Sequence, residues 1–150
     1  MKVTVLLRND HEGLMGLVNK YKKSLSSRSN GKKDVVDEIV REVRIHAQTE
    51  REIFYAALAE SSLEEGVTIV SKAEEQLRAI EKLVSHLNAS TGSDKNSETT
   101  MTSLMEQIAQ HIELDEEVFE AARKILPEVR LEELGLEMED RRKILVTLAA

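Results

Sequence analysis

The sequence predicts an all-α protein, an up-down-up-down four-helix bundle followed by a short C-terminal fifth helix. Ala, Leu, Glu, Lys and Arg, which favour helices, are abundant, whereas the chain has one proline, six glycines and 3% aromatic residues. Apolar residues recur at helical spacing through four long segments, and no segment shows the alternation of a half-buried strand. Polar joints separate these segments, as expected between antiparallel neighbours.

The first predicted helix covers Val3–Leu25 and is followed by the joint SSRSNGKK, whose glycine suits a helix C-terminus. The second covers Lys33–Glu60 and ends at the joint SSLEEG. The third continues to Leu87, and the polar stretch NASTGSDKNSETT after it is predicted to be a long loop. All three helices carry an apolar stripe that predicts burial of one face.

The fourth predicted helix covers Thr100–Leu126 and is ended by Pro127, because proline lacks the backbone N–H and disfavours helix before it. The closing segment EELGLEMEDRRKILVTLAA is predicted to add one or two further helical turns. A chain of 150 residues is long enough to bury a proper core, so residues 1–150 are expected to form a single domain.

Composition excludes several classes of function. The net charge of −7 argues against nucleic acid as a partner, because phosphate binding needs a basic surface. The absence of cysteine excludes disulfides, thiolate metal sites and cysteine nucleophiles. The N-terminal apolar run is too short for a signal segment, and no run reaches the roughly 18 apolar residues of a membrane span. A cytoplasmic protein without a membrane partner is therefore expected.

One pattern occurs twice: a histidine, a carboxylate four residues later and a phenylalanine four residues after that. Residues four apart share a helix face, so each histidine and carboxylate can converge on one point. In the second copy of the pattern the carboxylate is Asp115, and the neighbouring Glu116 is a geometrically poorer alternative. The stretch IHAQTEREIFYAAL supplies His46, Glu50 and Phe54, and the stretch HIELDEEVF supplies His111, Asp115 and Phe119.

His11 lies on the apolar stripe of the first helix, and counting residues from the joints places it near the level of His46 and His111. Burying three imidazoles and two carboxylates at one level would cost several kcal/mol without compensation. A divalent or trivalent cation offsets that cost, and mixed imidazole and carboxylate donors suit iron, manganese or zinc rather than calcium. These five residues are therefore predicted to be metal ligands.

Other conspicuous side chains are assigned no role in metal binding. His86 is predicted to be a surface or capping residue near a helix C-terminus. Phe54 and Phe119 are predicted to shield the site by packing around it. In a regular helix Tyr55 lies about 180° around the axis from His46, which predicts a core or interface role rather than ligation.

The chain resembles the hemerythrin-like (HHE cation-binding) family. The resemblance rests on LLRNDHEGL, IHAQTEREIFYAAL and HIELDEEVFEAARKIL in that order, and on PEVRLEELGLEMEDRRK, which is similar to the C-terminal helix of bacterial members. It implies a four-helix bundle holding two non-haem iron atoms, bridged by carboxylates and an oxygen species. It further implies that the terminal nitrogen ligands are His11, His46 and His111. The bridging or chelating carboxylates would be Glu50 and Asp115.

The chain departs from the family pattern in the third helix. Where members usually carry a Glu-His pair, the stretch AEEQLRAIEKL has Glu75 followed by Gln76, and glutamine is a weaker ligand than imidazole. Three alternatives follow: a site completed by Glu75, Gln76 or Glu116, a site with one iron, or two irons with an open coordination position. An open position is what a metal centre needs to bind a small molecule.

The resemblance implies a non-haem iron protein that binds or turns over dioxygen, peroxide or nitric oxide in oxidative stress, with catalase-like peroxide disproportionation as its enzymatic form. The alternative is an iron- or oxygen-responsive sensing module without turnover. A third hypothesis is a metal-free scaffold with a vestigial site. The expected partners are a small diatomic or peroxide ligand and, at most, a second copy in a weak homo-oligomer. Under the third hypothesis the oligomer surface would be formed by Leu134, Leu136, Met138, Ile144, Leu145 and Leu148.

Overall fold

Helices account for nearly all of the residues that the structure, a computed structural model, describes: 1–26, 31–61, 63–88 and 95–149. A π-helical segment, Glu50–Tyr55, joins the second helix to the third without a break, and no strand occurs within these ranges. The α-helices are α1 Val3–Leu25, α2 Lys32–Thr49, α3 Ala56–Glu60, α4 Glu64–Asn88, α5 Lys95–Ile125 and α6 Glu128–Ala149.

Four long rods form the bundle: α1, the continuous rod of α2, the π segment and α3, then α4 and α5. Helix α4 packs along α5, and α1 packs along α2, while α6 covers α1 and α2 from outside. The core between the rods is apolar, and its largest fully buried side chains include Tyr21, Tyr55, Phe54 and Phe119. The predicted all-α bundle with an added C-terminal helix is therefore confirmed.

The observed helix bounds correct the predicted ones at two joints. Ser26 follows α1, and Gly31 instead precedes α2, so the glycine does not cap α1 as predicted. Helix α5 begins at Lys95 rather than at Thr100, because Ser97 is buried within its first turn and packing outweighs the polar local sequence. The rest of these two predicted joints, residues 27–30 and 89–94, lies outside the described residues.

Helix α6 is longer than the one or two turns predicted. It runs for 22 residues because an apolar stripe along it is buried against the bundle. At Gly135 the approach is so close that an added Cβ would lie 1.9 Å from the Met1 backbone oxygen. None of the described helices contains an apolar stretch long enough to cross a membrane. The buried stripe of α6 consists of Leu131, Leu134, Met138 and Leu145.

Candidate metal centre

Five buried side chains from three rods meet at the middle of the bundle, each at most 3% exposed. One nitrogen or oxygen atom from each lies within 4.8 Å of the corresponding atom of every other. The structure thus brings together the five residues that the sequence analysis selected. These residues, here called the donor cluster, are His11 of α1, His46 of α2, Glu50 at the start of the π segment, and His111 and Asp115 of α5.

Contacts within the donor cluster have the lengths expected around a common ion. Donors bound at about 2.1 Å to one ion lie roughly 3 Å apart when they are neighbours in its coordination sphere. The structure gives 2.9 Å for His111 Nε2–Asp115 Oδ2, 3.0 Å for His11 Nε2–Asp115 Oδ2, 3.1 Å for His46 Nε2–His111 Nε2, 3.2 Å for His111 Nε2–Glu50 Oε1, and 3.5 Å for His46 Nε2–Glu50 Oε1.

Several of these atoms have no hydrogen-bond partner within the described ranges despite their short contacts. They include His11 Nε2, both carboxylate oxygens of Glu50 and Asp115 Oδ2. Buried polar atoms without partners are rare in folded proteins and call for a physical explanation. Here one donor atom of each residue lies within 4.8 Å of the others, and a cation among these atoms would satisfy them.

The charges of the donor cluster are strongly coupled. Burial, followed by the charge of Asp115, raises the pKa of Glu50 well above its usual value. Burial alone would raise the pKa of Asp115, but the charge of His111 and the close contact with His11 hold it well below its usual value. Burial would lower the pKa of His111, but Asp115 and Glu50 outweigh it and raise that pKa to about 10. Without a cation, the balance of burial and these contacts favours the charged forms of His111 and Asp115 and disfavours ionisation of Glu50.

Asp10 orients one imidazole of the donor cluster. His46 Nδ1 donates a hydrogen bond to Asp10 Oδ2 over 3.2 Å, which leaves His46 Nε2 directed into the cluster. Burial lowers the pKa of His46, and the bond to Asp10 only partly offsets this effect. Carboxylates that accept from the outer nitrogen of a ligand histidine fix both its tautomer and its ring orientation. No role was predicted for Asp10 from the sequence, although it directly precedes His11.

Aromatic packing closes the side of the donor cluster between α1 and α5. The Phe119 ring lies nearly parallel to the His11 ring at 5.9 Å and contacts Phe54 at the same distance. Arg8 lies over the outer face of Phe119, 5.7 Å from its centroid. The Arg8 guanidinium is held there by two hydrogen bonds to Glu116, of 2.7 and 2.9 Å. Glu116 is thus paired on the outside of the bundle and does not belong to the donor cluster.

Tyr55 reaches the donor cluster, contrary to its predicted position half a turn away from His46. Its hydroxyl donates a 2.6 Å hydrogen bond to Asp115 Oδ1. The prediction assumed a regular helix, but the backbone N–H of Ala56 bonds to the Arg51 carbonyl five residues earlier, as in a π-helix. Burial, followed by the charges of Glu50 and Asp115, raises the Tyr55 pKa far above its usual value, so the hydroxyl is neutral.

None of the described side chains of α4 belongs to the donor cluster. The buried face of this helix carries the apolar residues Ala73 and Leu77. Glu75 is exposed, and Gln76 is half-buried with an Oε1 atom that is buried and has no partner within the described ranges. His86 is exposed near the end of α4, as predicted.

A helical bundle whose core holds imidazoles and carboxylates in mutual contact is a metal-binding bundle. Residues 3–122 match the model of the Hemerythrin HHE cation binding domain, and the chain belongs to this family. Its fold is similar to that of a Hemerythrin HHE cation binding domain-containing protein from Mycobacterium kansasii, with a TM-score of 0.80. That match covers 97% of this chain and 87% of the other at 21% identity. No curated protein matches the sequence.

Proposed function

We propose that the donor cluster binds non-haem iron and that the iron-loaded protein binds or turns over dioxygen, peroxide or nitric oxide. The observation that carries this proposal is the set of five buried donor atoms within 4.8 Å of one another. Three neutral imidazole nitrogens and two carboxylates are a donor set that suits iron and excludes calcium. Membership of a cation-binding family favours the same conclusion.

The protein residues have separable roles in this proposal. The donor cluster holds the ion, Asp10 orients His46, and the rings of Phe54 and Phe119 exclude water from one side. Bound iron would supply the redox chemistry that protein side chains lack. The enzymatic form of the proposal is peroxide disproportionation, in which two hydrogen peroxide molecules give two waters and one dioxygen.

The number of ions that the site can hold depends on how many donor atoms surround each carboxylate. The 3.1 Å between His46 Nε2 and His111 Nε2 fits two donors on one ion. The two irons implied by the family resemblance would require further donors for a second ion. Glu75 is exposed, so it does not supply such a donor.

The test is metal analysis of protein made in iron-rich medium, followed by an oxygen-electrode assay with added peroxide. The wild type should carry at least one iron per chain and release oxygen. His46→Ala should lose iron and activity, whereas His86→Ala, which alters an exposed histidine, should keep both. Wild-type protein that binds zinc or no metal under these conditions would refute the proposal.

A second candidate function, an iron-responsive sensing module, is favoured by the unpartnered atoms of the donor cluster. Because these atoms are satisfied only when a cation is present, the folded state should be strongly stabilised by metal. A large rise in melting temperature on iron binding, without oxygen release from peroxide, would favour this candidate. Sustained oxygen release would favour the enzyme.

A further inference from the structure

The Tyr55 hydroxyl lies on the side of Asp115 that faces away from the imidazoles. Asp115 Oδ2 contacts His11 Nε2 and His111 Nε2 at 3.0 and 2.9 Å, while Asp115 Oδ1 accepts the hydrogen bond from Tyr55. The two oxygens of the Asp115 carboxylate could therefore bind two neighbouring ions. An ion bound at Oδ1 would be a second ion, distinct from the one among the imidazoles and bridged to it by Asp115.

The backbone places Tyr55 there through an irregularity that begins at a residue of the donor cluster. The π segment starts at Glu50 and ends at Tyr55. In a π-helix, groups five residues apart are brought together, whereas in an α-helix these two side chains would diverge by about 140°. Such segments are rare and occur frequently at functional sites. This one turns a phenol towards the buried carboxylates of the donor cluster.

Helix α4 leaves this second position without a strong donor. The buried residues Ala73 and Leu77 cannot bind a metal, and Gln76 offers at most a weak amide oxygen. Tyr55 Oη and Asp115 Oδ1 are, by contrast, oxygen donors 2.6 Å apart. Carboxylate and phenolate oxygens suit Fe³⁺, and tyrosine is an established iron ligand in proteins.

We propose that Tyr55 is a metal ligand, binding through Oη to a second ion that Asp115 bridges to the first. This inference rests on the proposed iron-binding function. On binding Fe³⁺ the phenol releases its proton to solvent and forms an oxygen–iron bond, so the hydrogen bond to Asp115 is exchanged for a shared ion. Tyr55 thereby supplies the donor that α4 lacks.

The test uses the full chain loaded with Fe³⁺, since phenolate bound to Fe³⁺ gives a visible charge-transfer band and resonance-enhanced phenolate ring vibrations. The wild type should show both signals and bind two iron ions per chain. Tyr55→Phe should show neither signal and bind one iron ion per chain. Tyr21→Phe is the matched control, because Tyr21 is the other tyrosine of the chain and is equally buried. This control should keep the band and the iron content.

Each outcome decides between the two proposals. Wild-type protein that binds iron but shows no phenolate signal overturns the role of Tyr55 and leaves iron binding standing. Phenolate signals that persist in Tyr55→Phe also overturn it. Wild-type protein that binds no iron overturns both proposals. If Tyr55→Phe fails to fold, the ring vibrations of the wild type and of Tyr21→Phe still decide whether Tyr55 is a ligand, because only these two tyrosines exist.

Discussion

His46 and His111 face each other across the bundle, 65 residues apart in sequence, with their Nε2 atoms separated by 3.1 Å. Asp10 holds the outer nitrogen of His46, so its Nε2 can only accept, and His111, with a pKa raised to about 10, donates. In the absence of metal, His111 Nε2 therefore carries a proton that faces His46 Nε2. A cation bound between them must displace that proton, so proton and metal compete for the same nitrogens.

Metal binding should therefore release protons, and apparent affinity should rise with pH. Between pH 6 and 8 His111 is protonated in the metal-free protein, because its pKa is about 10. Each proton displaced makes the affinity for Zn²⁺ rise by up to about tenfold per pH unit in this range. Titration calorimetry in two buffers of different ionisation enthalpy measures the proton count directly. His86→Ala should give the same count, and a pH-independent affinity without proton release would contradict the competition.

The sequence was sufficient to predict the features that depend on local spacing. Four-residue intervals on a regular helix placed His46 with Glu50 and His111 with Asp115, and a helical stripe carried His11 to the same level. The bounds of α1 also agree with the prediction, because local propensity and packing favour the same residues there.

Features that depend on distant contacts were not predictable in this way. One π turn rotates Tyr55 towards Asp115, and no local pattern marks it in the sequence. The start of α5 depends on burial of Ser97 by other helices, which outweighs the propensity of a polar stretch. The length of α6 depends likewise on the surface that α1 and α2 offer to it.

Removing the carboxylate that orients His46 should weaken metal binding without unfolding the protein. Asp10→Ala frees the imidazole to rotate, and loss of such an orienting partner typically costs 10- to 100-fold in affinity, so about that loss is expected. Competition with a chromophoric Zn²⁺ chelator measures it. Asp37→Ala, which removes an exposed carboxylate paired with Lys33, is the control and should bind as the wild type does. Equal affinities for the two variants would argue against an orienting role.

Stripping the metal should lower the melting temperature. At metal concentrations about a thousandfold above Kd, binding stabilises the native state by roughly 4 kcal/mol, which corresponds to about 10 °C for a chain of this size. Scanning calorimetry with and without a strong chelator gives the shift. In His46→Ala, which lacks a central donor, the chelator should have little effect. An equal shift in this variant would place the stabilising metal elsewhere.

Truncating Phe119 should destabilise the protein strongly and loosen the wall of the donor cluster. Its ring is fully buried and packs between His11 and Phe54, so Phe119→Ala removes contacts on both sides. Such a change typically costs about 3–5 kcal/mol. Urea unfolding of metal-free protein measures it. Leu136→Ala, which trims a side chain that is 60% exposed on α6, should change stability by less than about 0.5 kcal/mol.

Two glycine substitutions should have opposite effects, because one glycine is in close contact and the other is open. A Cβ at Gly135 would lie 1.9 Å from the Met1 backbone oxygen, so Gly135→Ala must displace the start of α1 and expose Val3, which is fully buried there. Overpacking of this kind costs about 1–3 kcal/mol. Nothing lies within 4 Å of a Cβ at Gly13, which is in the middle of α1.

Gly13→Ala should therefore stabilise the protein by up to about 1 kcal/mol, since alanine loses less backbone entropy than glycine in a helix. Urea unfolding of both variants at constant metal content gives the two differences. Hydrogen exchange of the backbone amides near Val3 should become faster in Gly135→Ala but not in Gly13→Ala. Only Gly135→Ala moves the N-terminus away from α6. If Gly135→Ala were as stable as Gly13→Ala, the close approach of α6 to the N-terminus would not contribute to stability.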